Sequence, residues 1–300
     1  MYKFSFQSDE NIRKDMQAIC EMIKEQFDVI ALQEIFTPNA MKYLLLRNLG
    51  SSWDGRWGQP KTRSPQAAEG YAFLWNKNKF KLVETENNPQ IIESYHCAPL
   101  PRLLRNPYFI RLIPVHGPFF ELRLLNTHIR YGKGENDFEL EECEISPGAV
   151  QMRKDEFEIL VRNICANVEE RRYGNNRDAY TFLLGDYNLN LKTGTNPYPY
   201  LSEYIEVRDG RVIKNFKTVQ ADKTTLKRSD KVDSETIDKY ANNYDHFTYN
   251  ESFMVNNRGI GLKSRRIDTL KMCEGNVEKH RKEISDHVPI LLEMDFHCKR

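Results

Sequence analysis

Residues 181 to 190, TFLLGDYNLN, carry an apolar, strand-like run into a glycine and then into an acid, an aromatic and an amide. The chain does this twice. Residues 9 to 26 place Ile12, Met16, Ile19, Cys20 and Ile23 at helical spacing, with Ser8 as a helix cap and Asp9 and Glu10 in the first turn, where the helix dipole favours acids. That helix leads into FDVIALQEI, whose Val29 to Leu32 form a continuous apolar run ending on Gln33 and Glu34. Residues 148 to 170 repeat the helical spacing through Val150, Phe157, Leu160, Val161, Ile164 and Val168, and deliver the chain into the strand at 180 to 184. Helix, apolar strand and polar tip, repeated, constrain the chain to an α/β architecture. Strands covered on both faces read as unbroken apolar runs, and helices supply the cover.

The remaining elements fill in around this repeat. The pattern predicts a helix over 38 to 49 and strands over 71 to 76, 108 to 115 and 120 to 128, with Gly117 and Pro118 turning one strand into the next. Residues 190 to 243 form a long polar insertion containing a hairpin about Asp209 and Gly210, YIEVRDGRVIK. Strands resume at 246 to 250, and an apolar run at 285 to 294 closes the chain. No low-complexity tract or short repeat divides the sequence, so the expectation is one α/β domain over residues 1 to 300 with two internally similar halves.

Charge excludes some functions. With 44 Lys+Arg against 43 Asp+Glu, the chain is no histone-like or tail-like nucleic-acid binder, although a local basic cleft remains compatible with the balance. No apolar run approaches the roughly 20 residues of a membrane span, and the N-terminus lacks a signal-peptide layout. The chain as written therefore reads as soluble and cytoplasmic, with no membrane partner. Six scattered cysteines without a C-x-x-C pair read as reduced structural thiols rather than a zinc site.

Four strands end on side chains suited to phosphate chemistry: Glu34, His128, Asp186 with Asn188, and Ser285-Asp286-His287. A lone Asp-x-Asn is ordinarily a turn and a lone Asn-Thr-His ordinarily a satisfied histidine. Their joint occurrence in this order carries the information, because ligands of α/β sheets gather at strand ends.

The blocks ALQEI, EGYAFLWN, LLRNPYFIRL, LLNTHI, LLGDYNLN, NNYDHFTYN and SDHVPI resemble the endonuclease/exonuclease/phosphatase superfamily, and the Glu-Gly-Tyr and Arg-x-Pro blocks look nearest to the DNase I-type nucleases. The resemblance implies a DNase I-like fold: α/β, a four-layer sandwich of two packed, mainly antiparallel β-sheets flanked by helices. It implies Glu34, Asp186, Asn188 and Asp286 as ligands of a hard divalent ion, Mg²⁺ or Mn²⁺, with Ca²⁺ as a further candidate. By the same resemblance His287 is the general base oriented by Asp245, and His128, with Glu69 as its carboxylate partner, protonates the departing oxygen or binds the phosphate. Arg105 falls on a phosphate-contacting arginine. Thr224 or Thr225 falls beside a neighbouring phosphate, and Lys223, Lys227 and Arg228 supply local positive charge or a solvated loop face.

The match departs at the first strand, where the superfamily has an asparagine sharing the metal site. Here Phe6 is followed by Gln7. Either Gln7 stands in with one extra methylene, or the sequence begins after the true first strand, in which case that strand is lacking and a secreted origin becomes compatible with the sequence. The reading that results is a metal-dependent phosphodiesterase, a monomeric DNA endonuclease. Its alternatives are a phosphoesterase acting on a lipid headgroup, an inositol phosphate or a nucleotide, and a catalytically weak phosphate- or nucleic-acid-binding module.

Overall fold

The computed structural model describes residues 14–60, 69–92, 103–117, 120–131, 149–171, 178–190, 203–208, 211–220, 222–228, 238–251 and 260–296. Helix α1, Met16–Gln26, precedes β1, Val29–Leu32. A helical stretch, α2, follows over Ala40–Leu46 and Arg47–Leu49, and then β2 (Trp53–Gly58), β3 (Tyr71–Asn76), β4 (Phe80–Leu82), β5 (Gln90–Ile91), β6 (Tyr108–Pro114) and β7 (Phe120–His128). The long helical segment α3 runs through Ala149–Ile159, Leu160–Cys165 and Ala166–Glu170 into β8, Asp178–Asp186. Strands β9 (Glu203–Arg208), β10 (Arg211–Gln220), β11 (Asp245–Asn250) and β12 (Ile260–Arg266), helix α4 (Val277–Glu283) and β13 (Ile290–Phe296) complete the order.

The large sheet runs β4-β6-β7-β8-β11-β10-β9, with β5 also on β6; the smaller sheets are β1-β3-β2 and β12-β13. Among the described residues only β7 and β8 pair in parallel; the other pairings are antiparallel. The two-residue alternation of a strand sorts each sheet's side chains onto two faces. Phe120, Leu122 and Leu124 of β7 meet Tyr71, Phe73 and Trp75 of β3 between the sheets, together with Leu262, Leu292 and Met294 from the β12-β13 pair. Leu125 and Leu183, on the opposite face of the large sheet, pack on Phe157, Leu160 and Ile164 of α3. Ala72 and Leu74, on the far face of β3, pack on Ile19, Ile23 and Leu45. Helix, sheet, sheet and helix are thus four layers. Truncating a fully buried side chain such as Leu183 to alanine costs roughly 2–5 kcal/mol in such a core.

Several elements differ from the sequence expectation. Lys14 and Asp15 are not helical, and the Asp15 side chain caps α1 by accepting from the Ala18 N–H at 2.9 Å; Ser8, Asp9 and Glu10 lie outside the described residues, as does Gln7. β1 is not covered on both faces: three of its four residues are half-buried. It borders, together with β13, an apolar cleft of about 260 Å³ with Ile19, Ile23, Leu122 and Phe182 on its walls. The closing strand begins at Ile290 rather than 285, which leaves Ser285, Asp286 and His287 in a loop at its start. β2, WDGRWG, escapes the sequence pattern because its two glycines and its Asp54 read as a turn, yet all six of its residues are in register with β3. β9 and β10 pair antiparallel as the expected hairpin, with a register shift between Val212 and Lys214, while Asp209 and Gly210 lie outside the described residues.

Candidate active site

Three adjacent strands end side by side. In the parallel register of β7 on β8, His128 is opposite Asp186, and in the antiparallel register of β11 on β8, Asp245 is opposite Asp186. These two registers therefore fix an imidazole and two carboxylates in a row. The approach of β8 to β7 is so close at Gly185 (φ +136°) that a Cβ would lie 2.0 Å from the Thr127 carbonyl oxygen, so only glycine fits there. Beyond it the chain turns sharply. The Asn188 N–H donates to Asp186 Oδ1 at 2.8 Å, and Asn188 holds a left-handed φ of 49°. Its amide nitrogen donates to the Ile129 carbonyl at 2.8 Å, which fixes which end of the amide is the oxygen. Glu34, at the tip of β1, is also left-handed, with φ 59°. Such backbone costs on the order of 1 kcal/mol or more at a residue with a Cβ and clusters at functional sites.

Two imidazole–carboxylate pairs converge on Asp186. His287 Nδ1 lies 2.8 Å from Asp245 Oδ2, and His128 Nδ1 lies 2.9 Å from Glu69 Oε2. The opposite nitrogens, His287 Nε2 and His128 Nε2, stand 3.9 and 3.6 Å from the same atom, Asp186 Oδ2. Arg105 Nη2 pairs with the other Glu69 oxygen at 2.7 Å, so Glu69 is shared between a guanidinium and an imidazole.

The sequence expectations for the threonines change. Thr224 is fully buried, and its hydroxyl accepts from the Tyr244 and Asp245 N–H groups at 3.3 Å each. Thr225 is 8 % exposed and its hydroxyl bonds the Asn242 backbone. Both brace the Asp245 loop, so contact with a neighbouring phosphate gives way to a supporting position. Lys223 is tied to Asp238 at 2.7 Å on the surface, the solvated-face alternative. Asp286 lies 3.8 Å from Arg281 Nη2.

Other supporting residues carry no signal readable from the sequence. Tyr71 accepts at its hydroxyl from the His128 N–H, and Asn126 donates to the Leu32 carbonyl at 3.0 Å while accepting from Gln33 at 2.6 Å. Asn126 thereby ties the tip of β1 to β7. His280, fully buried, shares its Nδ1 proton with the Ser285 carbonyl at 2.6 Å and so anchors the loop bearing Asp286 and His287.

The electrostatics follow from the packing. Burial pushes Asp186 up to about 6 despite the opposing His128 and His287 charges. Burial alone would lower His287, but Asp245, Asp186 and Asp286 outweigh it and hold its imidazole at about 10. Burial would raise Asp245, yet the charge and hydrogen bond of His287 and the Thr224 hydrogen bond leave it below the usual carboxylate range. Glu69 is lowered in the same way, burial being outweighed by His128 and Arg105. Asp286 is lowered too, with His287 and Arg281 overcoming its burial.

These residues fit a hard divalent cation. Ligand atoms of Glu34, Glu69 and His128 lie within 4.8 Å of one another, as do those of Asp186, Asp245 and His287. Carboxylates dominate both groups, which suits Mg²⁺-like ions. The structure sorts the expected ligands unequally: Glu34 falls in the first group, Asp186 in the second, and Asp286 in neither.

Strand tips of an α/β sandwich thus bring carboxylates and two imidazole–carboxylate pairs to one point, beside groups that could hold a cation. The chain belongs to the Endonuclease/Exonuclease/phosphatase family, whose sequence model matches residues 8–287, and members of that family are hydrolases. The fold is similar to the APE2 catalytic domain of Xenopus laevis (TM-score 0.57, 13 % identity, covering 96 % of this chain and 92 % of that one). It is similar also to an endonuclease/exonuclease/phosphatase of Bacteroides vulgatus (0.54, 13 %, 94 % and 90 %). A third similar structure is that of ANGEL2, a 2',3'-cyclic phosphatase, in complex with adenosine-2',3'-vanadate (0.52, 15 %, 94 % and 86 %). No curated protein sequence matches significantly.

Proposed function

We propose that the chain is a divalent-metal-dependent phosphodiesterase acting on DNA, an endonuclease that cleaves by in-line attack of activated water. The observation that supports this best is the convergence of His287 Nε2 and His128 Nε2 on one carboxylate oxygen, with Asp245 hydrogen-bonded behind the first ring and Glu69 2.9 Å behind the second. Base and acid can then act on the two sides of one phosphorus without a covalent intermediate. His287 accepts the proton of the attacking water while Asp245, bonded at Nδ1, fixes the tautomer and supports the imidazolium. The new P–O bond forms from that water as the P–O bond to the leaving sugar oxygen breaks. The departing oxygen takes its proton from His128, which Glu69 orients, and Arg105 is the phosphate-facing cation beside it. A divalent ion, Mg²⁺ or Mn²⁺, held by Glu34, Asp186, Asn188 and Asp286, would supply neutralisation of charge on the phosphate oxygens. The carboxylates around His287 raise its imidazole, so it serves as a base best when those carboxylates have other positive charge to satisfy them. The protein works as a monomer without a membrane; among the described residues no helix is long and apolar enough to cross one.

The test is turnover of supercoiled plasmid beside a panel of inositol phosphate, nucleotide and phospholipid-headgroup esters, with Mg²⁺ or Mn²⁺ and with EDTA. Nicking that EDTA abolishes is expected. Metal-independent cleavage sinks the mechanism, and turnover confined to the small esters sinks the substrate.

A further inference from the structure

A buried carboxylate lies behind Arg105 that the reaction above does not use. Glu156, on α3, is 5 % exposed among the apolar residues that cover the large sheet. A carboxylate in such surroundings loses hydration worth several kcal/mol unless it is bonded. Its bond is to the next-door loop: the Leu104 N–H donates to Glu156 Oε1 at 2.6 Å. Leu103 packs against the same core, and Leu104 points outward at 42 % exposure. Arg105 then follows, reaching Glu69 at 2.7 Å and the His128 carbonyl at 3.4 Å. Burial raises the Glu156 carboxyl, while the Leu104 bond and the Arg105 charge oppose that rise. Arg105 is therefore paired with Glu69 in the site, while the residue before it is bonded to Glu156 on α3.

We infer that Glu156 is a positioning residue: by fixing the Leu104 backbone it sets where the Arg105 guanidinium stands, and through Arg105 how Glu69 is shared with His128. The inference rests on the proposed phosphodiesterase reading for its kinetic readout, but not for its binding readout. A guanidinium displaced by about 1 Å loses its alignment with a phosphate, which costs tenfold or more in rate.

The experiment is a double-mutant cycle in the whole chain, with bis(p-nitrophenyl) phosphate and Mn²⁺ as the assay and unfolding midpoints recorded for every variant. Glu156→Ala should lower kcat/KM about tenfold. Glu156→Gln, whose carbonyl still accepts from Leu104, should stay within about threefold of the parent. In an Arg105→Ala background Glu156→Ala should have almost no further effect, because its route is already cut. Multiplying losses, or a Gln variant as damaged as the Ala variant, would overturn the inference. The second readout is the rise in unfolding midpoint on adding inorganic phosphate, which Glu156→Ala and Arg105→Ala should each diminish and Glu156→Gln should retain. A parent that binds phosphate in this pattern without turning over diesters would refute the phosphodiesterase reading and leave Glu156 as the positioning residue. A phosphate response unchanged by Glu156→Ala, or absent from the parent, would refute the role of Glu156.

Discussion

His128 and His287 face the same Asp186 oxygen, but the proteins around them differ. His128 is 7 % exposed at the end of a strand inside the large sheet; its backbone is held by Tyr71, and its partner Glu69 is itself neutralised by Arg105. His287 stands in a loop with 27 % of its side chain exposed, faces three carboxylates, and has its partner Asp245 braced by the neutral hydroxyl of Thr224. One imidazole thus belongs to a charge-balanced, buried assembly and the other to a surplus of negative charge. In the proposed reaction, two imidazole–carboxylate pairs take opposite proton-transfer tasks because of what stands behind them. The balanced pair suits delivery of a proton to a leaving group, and the carboxylate-rich pair suits taking one once the negative charge has been answered.

The largest expected effect breaks this comparison directly. His287→Ala should cost on the order of 10²-fold or more in kcat at neutral pH, and Asp245→Asn should reproduce much of that loss by unsettling the tautomer. His128→Ala should be comparably slow on DNA. With a p-nitrophenyl diester, whose leaving group needs no protonation, the His128 variant should recover substantially and the His287 variant should not. Equal rescue of both would show that the acid and base tasks are not divided between the pairs.

The next effect concerns the surplus charge. A histidine raised in the folded state from 6.5 to about 10 adds stability that is fully present below about pH 6.5 and is lost as pH rises through 10. Metal-free protein should therefore lose stability between pH 6.5 and 10, by on the order of 2 kcal/mol once solvent screening of the partly exposed ring is allowed for. Urea unfolding at pH 6 and pH 10 in EDTA measures it. His287→Gln should flatten the difference, and a His128→Gln protein that flattens it equally would erase the contrast between the pairs.

Much of this arrangement was legible in the sequence because strand tips are marked by abrupt changes from apolar to polar residues. LLNTH and LLGDYNLN place His128 and Asp186 at the ends of their strands, and the same reading gives 71–76 and 120–128 without a boundary error. Asp186 opposite both His128 and Asp245 is a matter of register between strands that are 50 or more residues apart, which no local pattern marks. The misplaced residues are those whose role depends on long-range packing. Thr224 reads as an exposed loop threonine but is fully buried under Asp245, and Glu156 reads as one more acid on an amphipathic helix. Tyr71 and Asn126 look like ordinary strand residues; nothing local indicates that their polar ends point at His128 and β1. β1 misled in the other direction, since its apolar run is bordered by a cleft rather than by cover on both faces.

The smallest expected effect sharpens the comparison at its quietest member. Thr224→Val keeps volume and β-branching but removes a fully buried hydroxyl that accepts from the Tyr244 and Asp245 N–H groups and hydrogen-bonds the Asp245 side chain. Leaving such donors without their acceptor costs about 1–3 kcal/mol in stability, and a less firmly held Asp245 orients His287 less well. A loss of about fivefold in kcat is expected, below that of Asp245→Asn because the carboxylate remains. Thr224 acts on the His287 pair alone, so the loss should be the same with DNA and with the p-nitrophenyl diester, and KM should be unchanged. A raised KM at constant kcat would return Thr224 to the substrate, and recovery with the activated leaving group would tie it to His128 instead.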